Sequence, residues 1–158
     1  MPALGHELAF ATRDATLAFA RRLAGVLRPG DTLLLEGDLG AGKSELARAM
    51  IREMVGAAIE VPSPTYTLVQ HYTGALGDIL HADLYRLNGP GELVELGLDE
   101  ALGGAVLLVE WPERAGPDWF PSTSLRLGLE IGPGEARRLR LAGDAAWAER
   151  LAPLLAAN

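Results

Sequence analysis

The sequence predicts an α/β fold in a single domain, residues 1–158, with a mixed, mostly parallel β-sheet flanked by helices and carrying β-hairpins. Three observations support this prediction. The apolar runs at residues 33–35 and 105–109 lack alternation, which is typical of strands buried on both faces. Segments with apolar residues at helical spacing lie between such strands. Two pairs of alternating segments surround glycine-containing turns, and strands interspersed with helices favour the α/β class.

In the first half of the chain, strands and helices are expected to alternate. The expected elements are a strand at 7–11, a helix at 13–27, a strand at Thr32–Glu36, a helix from 43 to about 55 and an extended connection at 61–64. Arg28-Pro29-Gly30 contains two strong helix breakers, so the first helix should end there. The two prolines of residues 61–64 disfavour helix, which predicts a stiff, extended segment.

The second half should contain both hairpins and the last helix. The expected elements are strands at 66–72 and 78–83 joined around 74–77, loop and a short helix across 84–97, a short helix at 98–102, a strand at 105–109 ending at Glu110, strands at 125–131 and 136–141, and a helix at 144–156. Gly132-Pro133-Gly134 separates two alternating segments and predicts a hairpin turn. Asp144 has the short polar side chain that caps a helix N-terminus.

Composition limits the classes of function. The 158-residue chain has no cysteine, which excludes a disulfide, a thiolate metal site and a thiol nucleophile. Its beginning lacks the apolar core of a signal peptide, and no apolar run is long enough to span a bilayer, so a cytoplasmic location is expected. The net charge is −7. Since phosphate contacts dominate nucleic-acid affinity, the cluster Arg137, Arg138 and Arg140 is interpreted as a solvated strand face.

A phosphate-binding loop is the strongest motif. Residues 37–44 fit the Walker A pattern, G-x-x-x-x-G-K-[ST], between a buried strand and an amphipathic helix. Glycines allow positive φ, so the loop amides can turn inward, and the helix N-terminus adds partial positive charge. Lys43 would reach the β- and γ-phosphates of ATP, and the Ser44 hydroxyl would coordinate Mg²⁺. The predicted nucleotide-binding residues of this loop are Asp38, Leu39, Gly40, Ala41, Gly42, Lys43 and Ser44.

Lysine usage supports the same interpretation. Lys43 is the only lysine, and every other basic residue is arginine. A planar guanidinium is a poor substitute for a compact ammonium between phosphates. The same count excludes a guanine-reading Asn-Lys-x-Asp motif, which argues against a GTP-binding switch.

Two carboxylates stand at the ends of apolar strands. Asp83 ends one and Glu110 ends the other. One acid can hold the metal, directly or through water, while the other orients or deprotonates the attacking water. Spacing does not decide between these two assignments. His81 shares the strand face of Asp83, and a packed histidine is the favoured interpretation of it.

Beyond this loop, three segments resemble one protein family. They are Val61-Pro62-Ser63-Pro64-Thr65-Tyr66-Thr67-Leu68-Val69, His81-Ala82-Asp83-Leu84-Tyr85-Arg86-Leu87 and Glu110-Trp111-Pro112-Glu113-Arg114. In this order after the phosphate loop, they resemble the TsaE (YjeE) family, the bacterial ATPase required to make threonylcarbamoyladenosine at position 37 of tRNA. The resemblance covers roughly residues 13–114.

The resemblance implies residue roles and partners. Glu110 would be the magnesium partner of Ser44, and Asp83 would activate water. Residues 63–67 would form a switch-like loop, with Thr65 near the γ-phosphate, and Trp111 would lie near the nucleotide. The implied partners are TsaB- and TsaD-type proteins, with tRNA contacted only indirectly. An ATPase that is slow alone and stimulated by partners is therefore expected.

The sequence departs from the family pattern at two positions. Ser44 replaces the usual threonine but keeps the hydroxyl. Glu45 replaces a common second threonine; a carboxylate suits a helix N-terminus, and we expect it to point away from phosphate.

Two alternative functions share the phosphate loop. A small-molecule kinase would need an acceptor site and usually an arginine-bearing lid, whereas Arg86 and Arg114 are isolated. A non-hydrolytic, nucleotide-gated binding module shares every motif, so only measured turnover separates it from an ATPase.

Overall fold

The computed structural model describes residues 3–56, 59–64 and 68–156. The strands are β1 (Leu4–Phe10), β2 (Thr32–Glu36), β3 (Val69–Gly74), β4 (Gly77–Asp83), β5 (Val106–Glu110), β6 (Leu125–Ile131) and β7 (Arg137–Gly143). The helices are α1 (Arg13–Ala24), α2 (Lys43–Val55), α3 (Gly91–Glu95), α4 (Leu98–Ala101) and α5 (Ala145–Ala156), with a 3-10 helix at Pro112–Ala115. None of the helices in the described ranges combines the length and hydrophobicity that crossing a membrane requires.

The strands of the described residues form one sheet in the order β1-β7-β6-β2-β5-β4-β3. The pairs β6–β2, β2–β5 and β5–β4 are parallel, and the outer pairs are antiparallel. Consequently β1, β2, β4, β5 and β6 all run in one direction. The predicted mixed, mostly parallel sheet and both hairpins, β3–β4 and β6–β7, are confirmed.

Hydrophobic layers cover both faces of the central strands. Leu33 and Leu35 of β2 belong to the core that includes buried residues of α1 and α2. Leu34, between them, belongs to a second core with Leu93 of α3 and Leu98 of α4. The apolar run without alternation therefore corresponds to a strand covered on both faces, as predicted.

The ends of the two long helices beside the phosphate loop follow from capping chemistry. The Thr12 Oγ1 accepts a hydrogen bond from Ala15 N (3.1 Å) and caps α1. The N-cap of α2 is Gly42, with φ 106°, so no side chain covers the first amides of that helix. At its other end, α2 stops at Gly56 in the left-handed conformation.

Some boundaries differ from the predicted ones because strand pairing and turn geometry decide them. β1 begins at Leu4 rather than residue 7, since its pairing with β7 extends to Leu4 opposite Gly143. α1 ends at Ala24 rather than 27, before Gly25. The predicted start of β3 at residue 66 lies outside the described residues, and the described strand begins at Val69.

Two arginines of the β7 cluster, Arg138 and Arg140, are paired with acids of neighbouring strands, whereas Arg137 donates to the backbone carbonyl of Ala41. Arg140 lies 2.8 Å from Glu7 and 2.9 Å from Glu130, and Arg138 lies 4.0 Å from Glu130. These exposed pairs agree with a solvated strand face.

Candidate functional site

A cavity of about 430 Å³ lies where the chain leaves the carboxyl ends of β2, β4 and β5. This is the edge at which open α/β sheets bind ligands. Every predicted site residue that the structure describes lines it: Asp38, Leu39, Gly40, Ala41, Gly42, Lys43, Ser44, Asp83, Glu110 and Trp111. The predicted contact Thr65 lies outside the described residues.

The backbone of the phosphate loop depends on glycine. Gly37, Gly40 and Gly42 have φ values of 148°, 81° and 106°, in the region that L side chains rarely adopt. Gly37 also passes close to β6, since a Cβ there would lie 2.6 Å from the carbonyl oxygen of Leu129. From the next strand, β7, Arg137 Nε donates to Ala41 O at 2.9 Å. The loop is thus held against β6 and β7.

These contacts predict different costs for two glycine substitutions. Gly40→Ala should lower the free energy of unfolding by about 1 kcal/mol, because only the positive φ is strained. Gly37→Ala should cost roughly 1–3 kcal/mol more, because its Cβ also meets the Leu129 carbonyl. Urea unfolding of both variants measures the difference. Equal stabilities of Gly37→Ala and Gly40→Ala would contradict the close approach of the loop to β6.

The ammonium of Lys43 is held inside the loop. Lys43 is 6% exposed, and its Nζ donates to Gly37 O and, at 3.3 Å, to Asp38 O. The same Nζ lies 3.8 Å from the centroid of the Trp111 ring, a cation–π distance. Burial lowers the pKa of Lys43, while nearby carboxylates, first Glu110, raise it and oppose that shift. The charge is therefore poorly hydrated and directed at the cavity.

Glu110 joins the phosphate loop to the sheet. Ser44 Oγ donates to Glu110 Oε1 at 2.7 Å, and the other oxygen, Oε2, lies 2.6 Å from His81 Nε2. His81 and Glu110 are 0% and 2% exposed. The favoured sequence interpretation of His81 as a packed residue is incomplete, since the side chain is buried but also contacts a site carboxylate.

Asp83 lies beside Glu110. The two residues are register partners at the ends of the parallel strands β4 and β5. Asp83 is 5% exposed, and its Oδ1 accepts a hydrogen bond from Tyr85 N at 3.0 Å. The strand ends therefore bring together the two acids that are 27 positions apart in the sequence.

An aromatic wall closes one side of the cavity. Trp111 has a left-handed backbone, with φ 57°, which is rare for a bulky residue and recurs at functional sites. Its ring centroid lies 4.9 Å from that of Tyr85, and the Arg114 guanidinium lies 5.1 Å from the Tyr85 centroid.

Sequence reasoning missed three further lining residues, Arg48, Tyr85 and Arg86. Helical spacing could have found Arg48, which lies one turn after Ser44 on α2. Tyr85 and Arg86 lie two and three positions after Asp83, but the turn that brings them to the cavity leaves no local signal in the sequence.

The carboxylate of Glu45 is paired with an arginine of α1. It borders the cavity, and its Oε2 lies 2.5 Å from Arg13 Nε. The reason is that α1 packs beside α2 and brings Arg13 to the first turn of α2. Arg13 thereby neutralises the carboxylate next to the phosphate loop.

Comparison with known proteins identifies the family to which this chain is related. The family model "Threonylcarbamoyl adenosine biosynthesis protein TsaE" matches residues 10–139. The chain belongs to the TsaE family. The resemblance predicted from the sequence motifs is confirmed, and the match extends beyond the predicted span to include β6 and part of β7.

Relatives named tRNA threonylcarbamoyladenosine biosynthesis protein TsaE occur in several bacteria. The Bacillus subtilis relative is 41% identical over 127 residues, covering 80% of this chain and 78% of the relative. The Rickettsia conorii relative is 44% identical over 102 residues, which is 65% of this chain but 58% of that protein. The crystal structure of Bacillus subtilis YdiB has a TM-score of 0.78 at 28% identity and covers 99% of this chain and 97% of YdiB. The predicted P-loop fold is thereby confirmed.

Proposed function

We propose that this chain is a cytoplasmic, magnesium-dependent ATPase that supports threonylcarbamoyladenosine formation at position 37 of tRNA, together with TsaB- and TsaD-type partners. Membership of the TsaE family supports the pathway. One observation carries the ATPase assignment. The phosphate loop, the hydrogen-bonded pair Ser44–Glu110 and the acid Asp83 line a single cavity.

The oxygen donors of the cavity fit Mg²⁺ bound with a nucleotide. Magnesium prefers hard oxygen ligands, and one or two protein ligands are enough when phosphates and water complete the shell. Ser44 and Glu110 would hold the ion. Because Ser44 Oγ donates its proton to Glu110, its lone pairs remain available to a metal. When bound, the ion would neutralise charge on the β- and γ-phosphates.

The remaining residues would bind and orient the nucleotide. The loop amides and the uncapped start of α2 face the phosphates, and Lys43 exchanges its carbonyl partners for phosphate oxygens. Asp83, fixed by the Tyr85 amide, accepts a proton from the attacking water. Trp111 and Tyr85 exclude bulk water from one side of the cavity.

Leu68, the first described residue after positions 65–67, is hydrogen-bonded to the backbone of the proposed water-activating acid. Leu68 N donates to Pro64 O at 2.6 Å, and Leu68 O accepts from Asp83 N at 2.9 Å. A contact between Thr65 and the γ-phosphate would affect a segment whose described end, Leu68, is tied to the Asp83 backbone. Such a segment suits a switch that reports the nucleotide state to a partner.

Hydrolysis is proposed to reset the complex between rounds of tRNA modification. The acidic net charge of −7 supports indirect rather than independent contact with tRNA. We expect slow ATP hydrolysis by the chain alone and faster hydrolysis with TsaB and TsaD. tRNA modification should then be reconstituted from pre-made threonylcarbamoyl-adenylate, with either the parent chain or Asp83→Asn. The parent should sustain multiple turnovers, whereas Asp83→Asn should stop after about one.

Controls separate this function from a passive binding module. Asp78→Asn, an exposed acid on the same strand, should behave like the parent. If Asp83→Asn hydrolyses no ATP yet sustains multiple turnovers equally well, hydrolysis is not part of the mechanism and the binding module is favoured.

A further inference from the structure

His81 is a buried polar residue whose sequence position gives it no obvious task. It lies in β4, two residues before Asp83, and is 0% exposed. Its Nε2 lies 2.6 Å from Glu110 Oε2, and its Nδ1 is buried without a hydrogen-bond partner in the part of the chain that the structure describes. Burying an imidazole in a sheet is costly unless its polar atoms are satisfied.

The two nitrogens of His81 define its proton position. A carboxylate is an acceptor, so the short contact with Glu110 requires a proton on Nε2. In the other neutral tautomer, the proton on Nδ1 would have no acceptor among the described residues and Glu110 Oε2 would lose its donor, which leaves two buried groups unpaired. Of the two neutral tautomers, this arrangement favours the one that carries its proton on Nε2.

The proton on Nε2 of His81 affects the orientation of the Glu110 carboxylate, because both carboxylate oxygens have partners. Oε1 accepts the hydrogen bond from Ser44 while Oε2 accepts from His81, so the carboxylate is fixed from both sides. Without the donor on Oε2, the carboxylate could rotate about its terminal bond, and a buried oxygen would lose its partner. Residues that orient a metal-binding carboxylate in this way tune its affinity for the ion.

We propose that His81 is a positioning residue that holds the Glu110 carboxylate in the orientation needed to bind the metal of a metal–nucleotide complex. This inference rests on the proposed function, and it concerns a residue that is not among the described residues lining the cavity. Removing its Nε2 donor should weaken metal affinity about 10–100-fold, the usual effect of losing such an orienting partner.

Two amide substitutions separate positioning from packing. In His81→Gln the side-chain nitrogen reaches about as far as Nε2 and can still donate to Glu110. In His81→Asn the nitrogen ends near the position of Nδ1 and cannot reach. Both variants keep a buried amide, so a role in polarity or packing alone would affect them similarly. His71→Asn supplies a matched control at an exposed histidine of β3.

The measurement is Mn²⁺ affinity in the presence of ADP, followed by electron paramagnetic resonance, with metal-free ADP affinity measured in EDTA. His81→Asn should raise the Mn²⁺ Kd about 10–100-fold and leave metal-free ADP affinity within about 2-fold. His81→Gln should restore most of the loss, and His71→Asn should match the parent. Circular dichroism confirms that each variant is folded.

The outcomes distinguish this inference from the proposed function. A parent chain that binds no Mn²⁺ with ADP overturns both. If the parent binds Mn²⁺ and both His81→Asn and His81→Gln match its affinity, only the positioning role is overturned. The same conclusion follows if both variants lose Mn²⁺ affinity to the same extent. In a Glu110→Gln background, His81→Asn should cause no further loss of Mn²⁺ affinity, since the orientation it controls no longer matters.

The parent chain gives an independent test that requires no variant to fold. In a long-range ¹H–¹⁵N spectrum, the signals of His81 should show a proton on Nε2 and an unprotonated Nδ1. A buried histidine protonated on Nδ1 alone would leave Glu110 Oε2 without a donor and contradict the inference.

Discussion

Replacing Lys43 with alanine is expected to lower ATP turnover by about 10²-fold or more. The substitution removes a preorganised charge aimed at the phosphates, and single donors of this kind are worth at least that much in other enzymes. Lys43 is 6% exposed and enclosed by the loop carbonyls and the Trp111 ring, so its position is fixed before nucleotide binds. Steady-state phosphate release, with TsaB and TsaD present, measures the loss.

Lys43→Arg should fail as well. A guanidinium is larger and planar, and the space between the loop and Trp111 fits a compact ammonium whose Nζ lies 3.8 Å from the ring centroid. The matched control is Arg126→Lys, which exchanges the same two residue types at an exposed ion pair with Glu36. Near-normal turnover by Lys43→Arg would overturn the role assigned to the phosphate loop.

Glu110→Gln should mainly raise the magnesium concentration needed for half-maximal activity. The substitution removes the negative charge of the carboxylate that contacts Ser44 and His81, and it places an amide nitrogen at one of the two oxygen positions. The charge is what attracts the metal, so affinity for Mg²⁺ should fall more than affinity for metal-free nucleotide. A magnesium titration of ATPase activity gives the shift.

Asp83→Asn should affect hydrolysis rather than the binding of magnesium. Nucleotide and magnesium binding should stay close to those of the parent, while hydrolysis should slow about 10²–10⁴-fold, the range expected when a general base is lost. Single-turnover hydrolysis, compared with nucleotide binding, separates the two effects. Hydrolysis by Asp83→Asn at the parent rate would contradict the water-activating role and leave Glu110 as the candidate.

The two substitutions together address a choice that spacing leaves open. Asp83 and Glu110 are side by side at neighbouring strand ends, and both are buried. Their hydrogen-bond partners differ, because Glu110 contacts the Ser44 hydroxyl and Asp83 contacts the Tyr85 amide. The partner of Glu110 lies on the phosphate loop helix, which supports the metal role for Glu110 and the water role for Asp83.

Local patterns in the sequence were enough to predict the phosphate loop and the strand and helix on either side of it. The bounds of β2 and α2 match their predicted bounds, and both hairpins lie at their predicted turns. These features depend on interactions between residues close in the chain: an uninterrupted apolar run, glycines that permit positive φ, and apolar side chains at helical spacing. The lone lysine and the Walker A spacing likewise identify Lys43 and Ser44 without any knowledge of tertiary contacts.

Only the tertiary structure decided how distant residues combine. Ser44 and Glu110 are separated by 66 positions and His81 and Glu110 by 29, yet each pair forms a hydrogen bond. Strand order and register set these contacts, and the periodicity of a single strand contains neither. The left-handed backbone of Trp111 is decided in the same way, since nothing in a tryptophan favours positive φ. The sequence by itself therefore determined the phosphate loop and the strands that end in acids. The pairing of those strands determined which acid contacts Ser44 and placed His81 behind it.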